Sequence, residues 1–385
     1  MAVSSRINTY LNQFNKSSID LISQIYGMIS WLLGIHRLLI LFKLGNKCKI
    51  LTLAYSLIFN IIICYFVFKS NTINSYMKFL NVTEYFLCAI IAVIYNETLL
   101  KFYNGIFHFD KEIKSKWLVT SESVINCLQA IFNLILVIIL NVWRKHLEHL
   151  NNVTVELIPA HLSHVCELHY YCHLFGFIKL RLKSIRILLL TSFPINDINC
   201  FESSLINYKE KYIVTLVKNN KKVSVRKLLD LYSKVIAIYD FLNSALQWQL
   251  LLILSTTFLV LLIRAYNAAL HLINYKYTIM EGLFDVAIFS AVVGPIVTVC
   301  GFGQRIHDEV MLLQTALYSR IYKNSFDKKN RSIASSLLAL TEVRTLSFSV
   351  FRMFDLNISF PFKFFGLIAS YLVILLQFNK VTSFE

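Results

Sequence analysis

Ser370, Tyr371 and Gln377 interrupt an otherwise apolar stretch, SYLVILLQF (370–378), close to the C-terminal end of the sequence. A hydroxyl and a carboxamide seven residues apart lie on the same side of a helix. At 100° per residue, Lys363, Gly366, Ser370, Val373 and Gln377 share one narrow face, and Tyr371, Leu375 and Phe378 share another. Polar side chains in apolar helices rarely face lipid; they face partner helices or water. Two chemistries fit this stripe. One is a packing seam held by interhelical hydrogen bonds; the other is the wall of an aqueous pore. The spacing does not separate them.

Histidines form the second concentration of chemistry: His146, His149, His161, His164, His169 and His173, with Cys166 and Cys172 among them. His169 and His173 stand four apart, a spacing compatible with zinc. No HExxH or paired CxxC accompanies them, so a hydrated outer cavity or a place at headgroup level is the expected role, and no metal. The eight cysteines form no CxxC and indicate no disulfide framework. A looser set of polar and aromatic residues falls in the outer halves of the apolar runs: Tyr85, Trp143, His161, His164, Tyr266, Asn267, Glu281 and Asp285. Small-molecule pockets combine apolar and aromatic walls with a few placed polar groups, and this set is the expected ligand pocket. Interfacial belting of Tyr and Trp is the competing account. No phosphate loop, nucleophile elbow or pair of intramembrane carboxylates appears, so neither an enzyme nor a cofactor is expected.

The elements that must hold these groups are apolar helices. The chain has 385 residues, 56% of them hydrophobic, with only 4 Pro. Seven segments approach the roughly 20 residues that span a bilayer: 48–68, 81–103, 122–143, 160–185, 246–268, 282–303 and 362–379. An all-α polytopic membrane protein with seven transmembrane helices follows, because backbone groups in lipid must be satisfied within each segment. A further apolar stretch, 20–42, contains Gly27, Gly34 and Arg37 and reads as interfacial or re-entrant, with an eighth span as the alternative. Met1–Asn15 is polar and shows no signal peptide.

Charge placement orients the bundle. Of 38 Lys and Arg, only Lys69, Lys78, Arg144, Lys145, Lys276 and Lys380 fall on one side of the seven-helix topology, and most of the rest fall on the other. The basic side is expected in the cytoplasm, with the N-terminus inside and the C-terminus outside. The net charge of +16 then faces an anionic membrane leaflet rather than nucleic acid. Of the glycosylation triplets, Asn152 is the one well clear of the outer surface, and a glycan is expected there. The chain divides into a cytoplasmic N-terminal part (1–47), four spans (48–185), a basic helical loop (186–245), two spans (246–303), a cytoplasmic helical layer (304–361) and the last span with a short outer tail (362–385). Within the layer, 335–356 reads as a helix leading into the last span.

SYLVILLQF resembles the C-terminal signature of the insect gustatory receptors: threonine and tyrosine, five hydrophobic residues, then glutamine and phenylalanine. Every position agrees but the first, where Ser370 keeps the hydroxyl of threonine. The rest of the chain is similar to that family, which is related to the odorant receptors, in architecture alone. The resemblance implies a tetrameric ligand-gated cation channel in the plasma membrane of a sensory neuron, assembled from identical or related subunits and opened by a small-molecule tastant. Its last helix would line the central pore, with Gln377 and Phe378 at the narrow outer gate, Val373 and Ile374 below them, and Ser370 and Tyr371 deeper. The cytoplasmic helices would join the subunits. Sugar-responding members commonly carry Glu after the motif tyrosine; Leu372 stands there instead, which leans towards a divergent, bitter-sensing type. Lys363, on the stripe of Gln377, is an odd charge for a cation pathway unless it turns aside. A G-protein-coupled receptor is disfavoured by the inside N-terminus and the lack of Asp-Arg-Tyr or Asn-Pro-x-x-Tyr. A secondary transporter is disfavoured because Pro295 has no counterpart in a second half.

Overall fold

The computed structural model describes residues 28–29, 54–63, 65, 75–113, 121–147, 158–194, 223–273, 279–323 and 326–382. Among the described residues the helices are α1 (Ala54–Ile63), α2 (Ser75–Ile94), α3 (Asn96–Ile113), α4 (Ser121–Leu147), α5 (Ile158–Ser192), α6 (Val225–Ile273), α7 (Ile279–Tyr322), α8 (Lys328–Val343) and α9 (Phe360–Thr382). One short hairpin, β1 (Ser349–Val350) and β2 (Phe354–Asp355), precedes α9. Of the 20–42 stretch, only 28–29 lie among the described residues, and Asn152 lies outside them.

α5, α6 and α7 form the spine. α5 packs most extensively on α7, α6 carries α2, α3, α8 and α9, and α4 lies on α5. At 49 residues, α6 is about 74 Å long, far more than the ~30 Å of a bilayer core. It joins the periodic segment after Val225 to the apolar run at 246–268 in one unbroken helix. α7 likewise continues for 44 residues through Pro295, which lacks the N–H that would bond the carbonyl of Ala291. Its neighbour Thr298 donates its hydroxyl to Gly294 O at 2.8 Å, the kind of local bond that makes an intramembrane proline tolerable.

Among the described residues, three helices are long and apolar enough to cross a membrane: Val225–Ile273, Asp285–Tyr322 and Phe360–Phe378. The run at 81–103 is not one straight helix. Phe79–Ile94 and Asn96–Ile113 meet at 57°, although Tyr95 N–H still donates to Ile91 O and Leu99 N–H to Tyr95 O, both at 3.0 Å. Counted as one bent span, this pair makes a fourth. α5 falls short on composition because Lys179, Arg181, Lys183 and Arg186 stud its second half. Two of these charges are neutralised inside the bundle: Arg181 Nη2 donates to Asp110 Oδ2 at 2.7 Å, and Arg186 Nε donates to Glu309 Oε2 at 3.2 Å.

The expected helix over 335–356 ends at Val343. Beyond it, Leu346, Phe348 and Val350 are buried while Ser347 and Ser349 are half-buried. That alternation has the period of a strand, not a helix. Leu356 N–H donates to Phe348 O at 2.8 Å to close the hairpin. Its turn holds Phe351 and Arg352 at φ of 50° and 58°, a left-handed conformation costly for side chains of this kind. Three side chains of α6 offset that cost. Tyr239 donates to Ser347 O at 2.7 Å, Tyr232 to Arg344 O at 3.4 Å, and Trp248 packs edge-on against Phe351 at 4.6 Å.

Candidate functional site

The end of the bundle where α5 begins is called upper here. On α5, His161 and His164 are one turn apart and face α2, where Asn81 and Glu84 have the same spacing. The two pairs therefore meet rung by rung. Asn81 Nδ2 lies 3.4 Å from His161 Nε2, and Glu84 Oε1 lies 2.6 Å from His164 Nδ1. Thr256 of α6 donates to the other oxygen, Glu84 Oε2, at 2.6 Å. Glu84 is 7% exposed, so three helices converge on one buried carboxylate. A buried charge survives only when paired and hydrogen-bonded, and this one has partners at both oxygens.

Below this cluster the polar groups serve packing. His169 is fully buried between two asparagines of α4. Asn126 Nδ2 donates to the His169 carbonyl at 3.2 Å, which turns its Oδ1 to accept from His169 Nδ1–H at 3.0 Å. Asn133 Nδ2 donates to Nε2 at 3.0 Å. Both ring nitrogens are thus engaged by carboxamides. His173, 3% exposed, packs edge-on against Phe177 at 4.6 Å. The hydrated-cavity role expected for these two histidines gives way to a buried one, because α5 is covered by α4, α6 and α7 along this stretch. Among the described residues no group of His, Cys, Asp or Glu is arranged to hold a metal. Gln249 spans three helices at the same depth: its Oε1 accepts from Tyr171 at 3.0 Å and its Nε2 donates to Cys88 O at 3.1 Å.

The other residues of the expected pocket are scattered. Tyr85 is 2% exposed and packs with Val82 and Ile63, towards α1 and away from the Glu84 side. Tyr266 and Asp285 are half-buried, and Asn267 is on the exposed face of α6. Trp143 lies in α4 and Glu281 in α7, but their side chains are outside the described set. Glu84 and Thr256 were missed by sequence reasoning, which sought paired carboxylates. The usable signal was a single acid inside an apolar run, since an intramembrane ionisable residue is a functional candidate by itself.

α9 is held by one side only. Ile368 joins Leu261 and Leu262 of α6 and Val293 of α7, with Phe364, Phe365 and Leu372 packed around them. Tyr371 meets Phe258 edge-on at 5.8 Å. The remaining surface is uncovered: Lys363, Gly366, Ser370, Val373, Ile374, Gln377 and Phe378 are all exposed. Ser370 donates to Gly366 O at 2.9 Å, so its hydroxyl is satisfied within the helix. Phe378 at 66% and Val373 at 54% exposure are large apolar groups left mostly open in a single chain. Such a face fits lipid, another subunit or a shared pore.

Long apolar helices thus gather around a buried polar cluster, and α9 is left half uncovered. The family model described as 7tm Chemosensory receptor matches residues 21–382, and the chain belongs to that family. In fold it is similar to the insect olfactory receptor OR5 from Machilis hrabei, with a TM-score of 0.60 and 16% identity over 92% of this chain and 97% of that one. The same receptor in complex with eugenol matches at TM-score 0.60 and 16% identity, over 93% and 98%. A search of curated proteins finds no match.

Proposed function

We propose that the chain is a gustatory-type chemoreceptor that works as a ligand-gated cation channel, opened by a small-molecule tastant bound in the upper half of the bundle. The observation that carries this is α9: its exposed face bears the gustatory signature, with Ser370, Val373, Ile374, Gln377 and Phe378 uncovered and Tyr371 at its edge. In a tetramer of identical or related subunits these faces would enclose the pore, Gln377 and Phe378 at its outer mouth. The seven-span topology, with the N-terminus inside and a glycan at Asn152, makes the upper end extracellular. The layer at 304–361 then joins subunits in the cytoplasm of a sensory cell. His161 and His164 are the members of the expected pocket best supported by geometry, and a structure of a similar receptor in complex with eugenol supports small-molecule binding. Tyr85, Trp143, Tyr266, Asn267, Glu281 and Asp285 complete the proposed wall.

The test is electrical. Cells expressing the chain should show tastant-evoked cation current that persists in excised patches without GTP; a response abolished by blocking G proteins would sink the channel reading. Gln377→Ala and Phe378→Ala should each shift the reversal potential or raise resting conductance at unchanged surface expression. Unaltered currents in both variants would assign the stripe to subunit packing instead.

A further inference from the structure

Glu84 and His164 are more than wall residues. The Glu84 carboxylate accepts from His164 Nδ1–H at 2.6 Å and from Thr256 Oγ1–H at 2.6 Å. The first bond fixes the tautomer and the tilt of the imidazole, as carboxylates do for functional histidines elsewhere. It leaves Nε2 as the atom that can act. That atom is buried, and among the described residues it has no hydrogen-bond partner, although the side chain is only 12% exposed. Buried polar atoms are nearly always paired in native proteins, and an orphan asks for an explanation. Just beside it in sequence, Leu162 and Val165 pack with Val137, Ala291 and Ile288 into an apolar cluster. That cluster lies on the α4 and α7 side of α5, while His164 faces α2; a single directed polar atom inside an apolar bundle is how small-molecule sites fix orientation.

We propose that Glu84 and His164 form the hydrogen-bonding anchor of the upper site, and that its ligand is an uncharged, mostly apolar molecule bearing a hydroxyl. This rests on the ligand-binding reading above. A hydroxyl donates to a neutral Nε2 and accepts from a protonated one, so it satisfies the ring in either state; an ether or carbonyl satisfies only the second. A ligand amine is disfavoured because both Glu84 oxygens are turned to His164 and Thr256. A ligand carboxylate is disfavoured because it would approach the charge of Glu84. Glu84 and Thr256 act through the ring and are positioning residues.

The full chain in lipid nanodiscs, with thermal unfolding midpoint as readout, tests this without any need for conduction. The probes are 4-ethylphenol against its isostere 4-ethyltoluene, and 1-octanol against nonane. In each pair the alcohol should raise the midpoint and bind at least about tenfold more tightly, as one good hydrogen bond allows. His164→Phe should erase the preference while still binding the hydrocarbon; His164→Gln should restore part of it; Glu84→Gln should reduce it. Where a variant does not fold, a diazirine-bearing octanol on the wild type should label α5 around His164, and excess octanol, but not nonane, should compete. Equal binding of alcohol and isostere, or a preference surviving in His164→Phe, overturns the anchor. Binding of no probe overturns the ligand class, while tastant-evoked currents still decide the channel reading separately.

Discussion

Asp110→Ala should destabilise the receptor by about 3–5 kcal/mol, the usual cost of removing one partner from a buried ion pair. Asp110 and Arg181 join α3 to α5 through a 2.7 Å bond, with side chains 10% and 4% exposed. Arg181 is otherwise committed in place: Nη1 donates to Phe177 O at 3.0 Å, and the guanidinium lies over the Phe177 ring at 5.3 Å. Moving it to water would dismantle the middle of α5. The alanine variant therefore keeps a buried cation and loses this carboxylate. Asp110→Asn, which keeps the shape and a carbonyl acceptor, should cost less. The double change Asp110→Leu with Arg181→Met should recover much of the loss, because both charges leave together and the desolvation penalty leaves with them. Unfolding of the purified receptor in nanodiscs checks all three variants. If Asp110→Ala costs under about 1 kcal/mol, in the range of a surface ion pair, the pair does not hold α3 to the spine.

That ion pair shows where the sequence was readable and where it was not. The apolar runs at 246–268 and 282–303 were plain, because nothing charged interrupts their centres. The fourth run was obscured by its histidines and by Lys179, Arg181 and Lys183; the acid that pairs with Arg181 is Asp110, far away in the chain. No local pattern announces a neutralisation that only the fold creates. The histidines failed in a related way. His169 looks like a surface or cavity residue until Asn126 and Asn133 of another helix occupy both its nitrogens. In contrast, the hairpin before α9 was legible in principle: Leu346, Phe348 and Val350 alternate with serines, and the period of two was overlooked in favour of a helix. The uncovered stripe of α9 was readable as a face, since helical periodicity alone groups Ser370 with Gln377. What lies opposite that face is not written in the helix's own periodicity.

Gly303→Ala should disturb the base of α9, whereas Gly301→Ala two residues earlier should not. A methyl on Gly303 would collide with the Leu356 carbonyl oxygen and lie 3.4 Å from its carbon. The obstacle is backbone, so no rotamer change relieves it. At Gly301 nothing lies within 4 Å, and alanine there should be neutral or stabilising by up to about 1 kcal/mol through helix propensity. Gly105 falls between: its methyl would meet Ile238 Cγ1 at 2.7 Å, but that neighbour is a side chain and can yield. The expected order of damage is therefore Gly301, Gly105, Gly303, with the last costing about 1–3 kcal/mol as an overpacked contact does. The displacement should travel along the backbone. Leu356 is bonded to Phe348 across the hairpin, and next to it Asn357 Oδ1 accepts from Ser359 N–H at 3.1 Å and Phe360 N–H at 3.2 Å, capping α9. Pushing Leu356 from α7 pulls on that cap, so amide exchange in 346–362 should quicken in Gly303→Ala and stay unchanged in Gly301→Ala. In the proposed channel the same displacement should alter resting conductance, because α7 reaches from the upper half of the bundle to the foot of the pore helix through this contact. Identical exchange and conductance in the two variants would show that α9 is seated independently of α7.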